Sequence, residues 1–300
     1  MKRRFIGSPD NQQVGQDLVR VATFNANGIR AAVRRGFGDW LATRGCDLVA
    51  VQEMRCGTGD LPDLPGYHLA YDPGSRPGRN GVAVYSRMPP GATRLMDRRA
   101  FADEGRYLEV DYDLGGGRLL TVVSVYVPKG GWASTVGPDA AGEARRLAHK
   151  QRFCASLTHR LATARRTAQA AGRELLVMGD LNIAHTPQDL ARASANRRQV
   201  GFLPWEREWL GAQLSPRRLV DVVRRVHPDA QGPYSWWRWG AVGRPGPFEG
   251  DVGWRIDYHL ATPGLARRAV AASTDKGEHA AYRMSDHAPV VVDYDWPAGT

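Results

Sequence analysis

The side chains best suited to chemistry stand where apolar runs end. Leu175-Leu176-Val177-Met178 passes through Gly179 into Asp180 and Asn182, a carboxylate and an amide two residues apart. Val21 to Phe24 leads into Asn25 and Asn27, Leu48 to Val51 into Gln52 and Glu53, and Leu119 to Val125 into Tyr126. Ile256 precedes Asp257, and Ser285-Asp286-His287 precedes the apolar run Ala288 to Val292. Polar groups just past strand ends face phosphate, metal and water. In an open α/β sheet such ends converge on one crevice however distant they are in sequence. The pattern predicts one acidic, amide-rich pocket containing a histidine. The chain has no G-x-S-x-G, G-x-x-x-x-G-K, G-x-G-x-x-G or H-E-x-x-H, so no motif supplies a nucleophile elbow, a phosphate-cradling loop or a zinc-protease helix. Oxygen donors without Cys or paired His favour Mg²⁺, with Mn²⁺ as the alternative, over Zn²⁺. Metal-assisted hydrolysis of a phosphate ester is the reaction such a set serves.

These ends need a scaffold, and the chain has the means to build one. Its 300 residues, 42% of them hydrophobic, can bury a sizeable core. Strands alternate with helical segments such as Gly36 to Arg44 and Ala141 to Ala170, with Gly-Pro-rich turns at Pro73 to Gly81 and Gly243 to Gly250. There is no repeat, heptad run or interdomain linker, which predicts one α/β domain over residues 21–296 after a flexible tail at 1–20. Three cysteines without a C-x-x-C pair argue against a disulfide framework and for a reducing compartment. No stretch is apolar and long enough to span a bilayer. The polar segment Met1 to Arg20 lacks the centre of a secretory signal, so the expected location is cytoplasmic.

Basic residues exceed acidic ones, 41 to 31, and 37 of the 41 are Arg. Such a surface attracts polyanions, and Arg pairs with phosphate in a bidentate way, although GC-rich codon usage would raise Arg as well. Along Ala141 to Ala170, Leu147, Cys154, Leu157, Leu161 and Ala164 form an apolar side. Most of Arg145, Arg146, Lys150, Arg152, Arg160, Arg165 and Arg166 are expected on a solvated face. Six of nine tryptophans lie between Trp205 and Trp254, near the basic cluster Asn196-Arg197-Arg198-Gln199. Aromatics interleaved with Arg suit stacking on nucleic acid.

The segments Phe24-Asn25-Ala26-Asn27-Gly28-Ile29-Arg30, Val51-Gln52-Glu53, Val125-Tyr126-Val127-Pro128, Gly179-Asp180-Leu181-Asn182-Ile183-Ala184, Gly253-Trp254-Arg255-Ile256-Asp257-Tyr258 and Ser285-Asp286-His287 occur in that order. In order and spacing they resemble the exonuclease III family of abasic-site endonucleases, within the DNase I-like endonuclease/exonuclease/phosphatase superfamily. Gly201 to Glu208 resembles a further family segment, and the likeness covers roughly Val21 to Tyr294. It implies a four-layer α/β sandwich of two packed mixed sheets flanked by helices. It also implies a Mg²⁺-dependent repair nuclease that cuts 5′ to an abasic site, with 3′ to 5′ exonuclease and 3′-phosphatase activity; a monomer is the separate expectation. The substrate would be double-stranded DNA with abasic sites or 3′-blocked ends, met at the nucleoid. The alternative is a phosphoesterase of the same superfamily acting on small-molecule or lipid phosphates.

Carried over residue by residue, the resemblance implies a metal held by Glu53, assisted by Asn25, Asp286 and, through water or as a support, Asn27. Asp180 would orient and deprotonate the attacking water, and Asn182 would hold that water or a phosphate oxygen. Asp257 would fix the His287 imidazole, and Tyr126 would contact the scissile phosphate or the leaving oxygen. Whether Asp180 or His287 takes the proton stays open at this level. Asn196 and Gln199 would touch the DNA backbone, while Trp236, Trp254 and Ile256 would hold a flipped-out abasic sugar. Arg30, Arg55, Arg79 and Lys129 are expected phosphate contacts by charge and position. Two departures stand out. Met54-Arg55 occupies the place of a family Thr-Lys, and Lys129-Gly130-Gly131-Trp132 replaces the usual Asn or Gln after Val127-Pro128.

Overall fold

The computed structural model describes residues 17–76, 78–97, 100–131, 139–240 and 246–298. The first part of the chain forms β1 (Leu18–Asn25), α1 (Ile29–Arg34), α2 (Phe37–Arg44), β2 (Leu48–Gln52), β3 (His68–Asp72) and β4 (Val82–Ser86). The middle supplies β5 (Thr93–Leu95), β6 (Tyr107–Asp113), β7 (Leu119–Tyr126), α3 (Ala140–Ala170), β8 (Glu174–Asp180), α4 (Pro204–Gln213), β9 (Val220–Asp221) and α5 (Val222–Val226). It closes with β10 (Asp257–Ala261), α6 (Pro263–Arg268), β11 (Ala269–Thr274) and β12 (Val290–Asp295). Residues 1–16 of the expected tail lie outside the described residues. Leu18 to Arg20, assigned to that tail from sequence, are instead the start of β1. There they pair with β12, and Arg20 bonds Asp293 at 2.7 Å.

Two six-stranded sheets result, ordered β11-β12-β1-β2-β4-β3 and β5-β6-β7-β8-β10-β9. Each is antiparallel except for one parallel pair near its middle, β1 with β2 and β7 with β8. The single crevice expected of one open sheet is therefore a cleft between the edges of two packed sheets. Side-chain alternation explains the layers. Val19, Val21, Leu48 and Ala50 face inward onto Val122, Leu176 and Met178 of the other sheet. Phe24, Val49 and Val51 face outward onto Ile29, Phe37 and Leu41 of α1 and α2. On the far side Val123 and Val177 meet Phe153, Leu157, Leu161 and Leu210 of α3 and α4. Helix, sheet, sheet and helix make the four layers.

Toward the strand ends the inward faces turn polar. β1 reads Val19, Val21, Thr23, Asn25, and β8 reads Leu176, Met178, Asp180. Between the sheets Thr23 Oγ1 donates to Gln52 Oε1 (3.2 Å), and Gln52 Nε2 donates to Ser124 Oγ (3.1 Å). These buried bonds stitch the sheets together directly beneath the site and satisfy groups that would otherwise be costly to bury.

Two charges expected on a solvated face are buried. Lys150 and Arg160 share the stripe of Phe153, Cys154, Leu157 and Leu161 on α3. Arg160 reaches Glu109 at 2.6 Å and lies over the Tyr107 ring, while Lys150 pairs with Glu206. Both charges are tolerated because each has a carboxylate partner. Their spacing of three and seven residues from the apolar positions marked them as inward.

Candidate active site

The carboxylates arrive from both sheets. β8 ends in Asp180 opposite Tyr126 at the end of β7, and Asp257 opens β10 directly across from Asp180. From the other sheet come Asn25 at the end of β1 and Glu53 one residue past β2, with Asp286 and His287 just before β12. Gly179 permits this arrangement. Its φ is +142°, and a Cβ there would lie 1.9 Å from the Val125 carbonyl oxygen. Gly179→Ala is expected to cost about 3 kcal/mol or more through overpacking and backbone strain, measured as a lower urea midpoint. Asn27, Glu53, Arg55 and Asn182 also take positive φ, between 45° and 50°. Such backbone costs energy and concentrates at functional sites, because it turns side chains that a regular strand would point elsewhere.

The contacts within the cleft are dense. Asn25 Nδ2 donates to Glu53 Oε1 (2.8 Å) and to Asp180 Oδ2 (2.9 Å), so one amide joins the two sheets' carboxylates. Asp180 Oδ1 accepts from the Asn182 N–H at 2.7 Å, and Oδ2 from Asn182 Nδ2 at 3.1 Å. Asn182 Nδ2 also reaches the Val127 carbonyl at 3.0 Å. His287 Nδ1 lies 2.8 Å from Asp257 Oδ2, and its Nε2 is 3.8 Å from Asp180 Oδ2. Asp286 accepts from Asn27 Nδ2 (2.8 Å) and Trp236 Nε1 (3.0 Å). Arg55 pairs with Glu53, and Arg106 covers the Tyr126 ring at 4.7 Å.

Burial pushes the Asp180 carboxyl up to about 7, with Asp257 and Glu53 adding to the rise and His287 opposing it. For His287, burial opposes the charged form, but the charge and hydrogen bond of Asp257 outweigh it, and Asp180 and Asp286 add to them. The imidazole is raised to about 10. Burial likewise works against ionised Asp286, yet His287, Trp236 and Asn27 hold it below the usual carboxylate range. Tyr126 is pushed well above its ordinary value by burial and then by Glu53, so it remains a donor.

Asn25 was expected to assist the metal, and Asn27 to reach it through water or to support the site. The Asn27 N–H bonds Asn25 Oδ1 at 3.0 Å, which fixes that amide with its nitrogen toward Glu53 and Asp180, and Asn27 points its own nitrogen at Asp286. Both amide nitrogens thus support carboxylates, while Asn25 Oδ1, with one bond accepted, keeps a lone pair that a cation could take. Glu53 and Asp286 offer the carboxylate oxygens of the expected ligand set. The set fits a hard divalent cation, because carboxylate oxygens of Glu53, Asp180, Asp257 and Asp286 gather in one cleft and such cations take oxygen ligands. The Asp257 Oδ1 is moreover buried with no hydrogen-bond partner among the described residues.

The expected DNA contacts divide. Trp236, Trp254 and Ile256 form an apolar patch with Leu190 and Phe202 beside the cleft, the two indoles meeting edge to face at 6.4 Å. Lys129 is exposed and lies 5.7 Å over the Trp236 ring. Asn196 donates to the Arg192 carbonyl at 3.0 Å, partly committing its amide to its own turn, whereas Gln199 is exposed. Arg30 is exposed on α1, 3.7 Å from Asp60. Arg79 lies apart from the carboxylates in a polar cleft of about 450 Å³ with Arg76, Arg106 and His149, which reaches the site through Arg106.

Supporting residues escaped the sequence reading. Arg255 is buried, forks onto Asp221 (2.7 and 3.1 Å) and bonds Asp189 (2.8 Å), which anchors the strand entry carrying Trp254, Ile256 and Asp257. Ser235 Oγ accepts from the Ile256 and Asp257 N–H groups at 3.1 Å each. Arg283 donates to the Trp237 and Asp286 carbonyls at 2.6 Å and so holds the His287 loop. An Arg inside an otherwise apolar segment was the one available signal for Arg255.

Paired sheets whose facing strand ends gather carboxylates around a carboxylate-held imidazole define a metal-dependent phosphoesterase of the DNase I-like sandwich class. The model of the endonuclease/exonuclease/phosphatase family matches residues 22–287, and the chain belongs to that family. It is 27% identical to an exodeoxyribonuclease of Bacillus subtilis over 275 residues, 91% of this chain and 98% of that one. It is also 27% identical to the DNA repair nuclease APEX1 of Danio rerio over 285 residues, 91% of this chain and 81% of that one. Among solved structures, an AP endonuclease from Archaeoglobus fulgidus matches with a TM-score of 0.75 and 28% identity, covering 92% of this chain and 99% of that one.

Proposed function

We propose that this chain is a DNA-repair nuclease that hydrolyses the phosphodiester 5′ to an abasic site, with 3′ to 5′ exonuclease and 3′-phosphatase activity, Mg²⁺ as cofactor and a monomer as the working unit. The observation that carries the reading is the Asp180, Asn182, Asp257 and His287 cluster beside an apolar tryptophan patch. Every residue of the cluster comes from one chain. No helix among the described residues is long and apolar enough to cross a membrane.

The electrostatics of the cleft support one division of the chemistry. A His287 raised to about 10 is already protonated at neutral pH and cannot take a proton from water. Asp180, raised to about 7, is ionised in useful amount and basic enough to do so. Asp180 therefore deprotonates the attacking water, and Asn182 orients it. His287, kept cationic by Asp257, faces the phosphate with Nε2 and stabilises charge developing on its oxygens. The protonated Tyr126 phenol donates to the phosphate or to the leaving oxygen. Glu53 and Asp286 would hold Mg²⁺, which when bound neutralises phosphoryl charge. Trp236, Trp254 and Ile256 admit a sugar that lacks its base and exclude an intact nucleotide by size.

The test is incision of a labelled duplex with one synthetic abasic site, with Mg²⁺ and with EDTA, beside an intact duplex. Metal-dependent cutting at the abasic site is expected. An inert enzyme with both Mg²⁺ and Mn²⁺ would sink the reading and favour small-molecule or lipid phosphates. Trp254→Ala is expected to narrow the preference for abasic over intact duplex by about tenfold, read as the ratio of kcat/KM values.

A further inference from the structure

Lys150 on α3 is fully buried, and the chemistry above leaves it without a role. Its ammonium donates to the Asn182 carbonyl at 2.9 Å, to the Lys129 carbonyl at 3.4 Å and to the Glu206 carboxylate. The other Glu206 oxygen accepts from the Gly201 N–H (2.7 Å) and the Leu203 N–H (2.8 Å). One ion pair thus joins the segments that leave β7 and β8 to the loop that enters α4. The left-handed backbone of Asn182, φ +50°, turns its carbonyl away from the cleft toward α3, where Lys150 supplies a donor to an oxygen that would otherwise be costly to bury. The same turn brings the Asn182 N–H and Nδ2 onto Asp180. The tied loops also abut the tryptophan patch: Lys129 lies over Trp236, and a Cβ on Gly201 would lie 3.2 Å from the Trp254 ring.

We propose that Lys150, with Glu206 as its counterion, is a positioning residue for incision. Through the Asn182 carbonyl it fixes the turn that aims the Asp180 carboxylate at the water. The inference rests on the reading of Asp180 as the base. Lys150→Met alone would strand a buried carboxylate and endanger folding, so the decisive variant is Lys150→Met/Glu206→Gln. It removes both charges and keeps an acceptor for Gly201 and Leu203. With the donor to the Asn182 carbonyl gone its melting temperature should fall by a few degrees, while its Kd for abasic duplex stays within about threefold and its kcat falls by about 30-fold or more. The amide proton of Asn182 should exchange about tenfold faster, because the bond to Asp180 Oδ1 is no longer held. Glu206→Gln strands the buried ammonium but leaves it donating to Asn182, so it should lower the melting temperature while the folded enzyme keeps kcat within about fivefold. A double variant with wild-type kcat or unchanged exchange at Asn182 would overturn the proposal, as would an equal loss in Glu206→Gln. If the wild type does not cut abasic DNA the functional reading fails, while the exchange comparison still decides on the clamp.

Discussion

Asp180→Asn should lower kcat for abasic-site incision by about 10³- to 10⁴-fold and leave DNA affinity nearly unchanged, in single-turnover cleavage beside binding by anisotropy. The amide keeps the shape and one acceptor for the Asn182 N–H but cannot take a proton, and its Nδ2 meets the Asn25 and Asn182 amide nitrogens that Oδ2 accepts from. The pH dependence of stability should also change. Burial raises the Asp180 carboxyl from 3.8 to about 7, so the folded state binds its proton more tightly than the unfolded state. The wild type therefore loses stability relative to the variant as pH rises from 3.8 to about 7, and the deficit persists above that. An inactive variant whose stability gains on that of the wild type between about pH 4 and 8 would bear out this account; retained activity would remove Asp180 as the base. Cutting needs the cation, whose charge favours the carboxylate, so the wild-type rate should rise below about pH 7 as Asp180 ionises and fall at or below about 10 as His287 loses its proton.

The second large effect belongs to the imidazole. His287→Ala should reduce kcat by about 10³-fold, the scale for removing a charged donor from a developing oxyanion. Asp257→Asn should cost about 10- to 100-fold, as expected for a group that orients and charges a catalytic histidine. Asp257 raises the His287 value more than any other group, so the same variant should move the alkaline limb down from about 10 toward 6.5. The double variant should be little worse than His287→Ala alone, since the two act as one unit. Additive losses would separate them and leave Asp257 a role of its own, for which its unbonded Oδ1 is the available atom.

Much of the site was legible because strand ends announce themselves. Asp180, Glu53, Asp257 and His287 each follow or precede an apolar run with a change of polarity, and period-two alternation puts the change on the inward face. The second sheet was not legible from those runs alone, because an inward Val on β1 looks the same whether it packs on a helix or on another sheet. Only the ordered family segments distinguished the two. The orientation of the Asn25 amide depends on a single backbone N–H two residues later, which composition does not encode. Lys150 and Arg160 were misjudged because a charge suggests solvent, whereas their partners Glu206 and Glu109 lie 56 and 51 residues away. The long-range partners of Arg255, Asp189 and Asp221, were invisible for the same reason.

Leu18 at the start of β1 lies opposite Asp295 at the end of β12, and the two strands run side by side through the sheet. The two ends of the folded domain are thus neighbours, and the Asn27 to Asp286 bond crosses the seam between them. A short tether could close this ring, and the chain could be reopened at an exposed turn such as Gly115 to Gly117 without disturbing a single site residue. The cleft depends on which strands lie side by side, so the linear order in which its motifs are spelled is not itself a requirement of the chemistry.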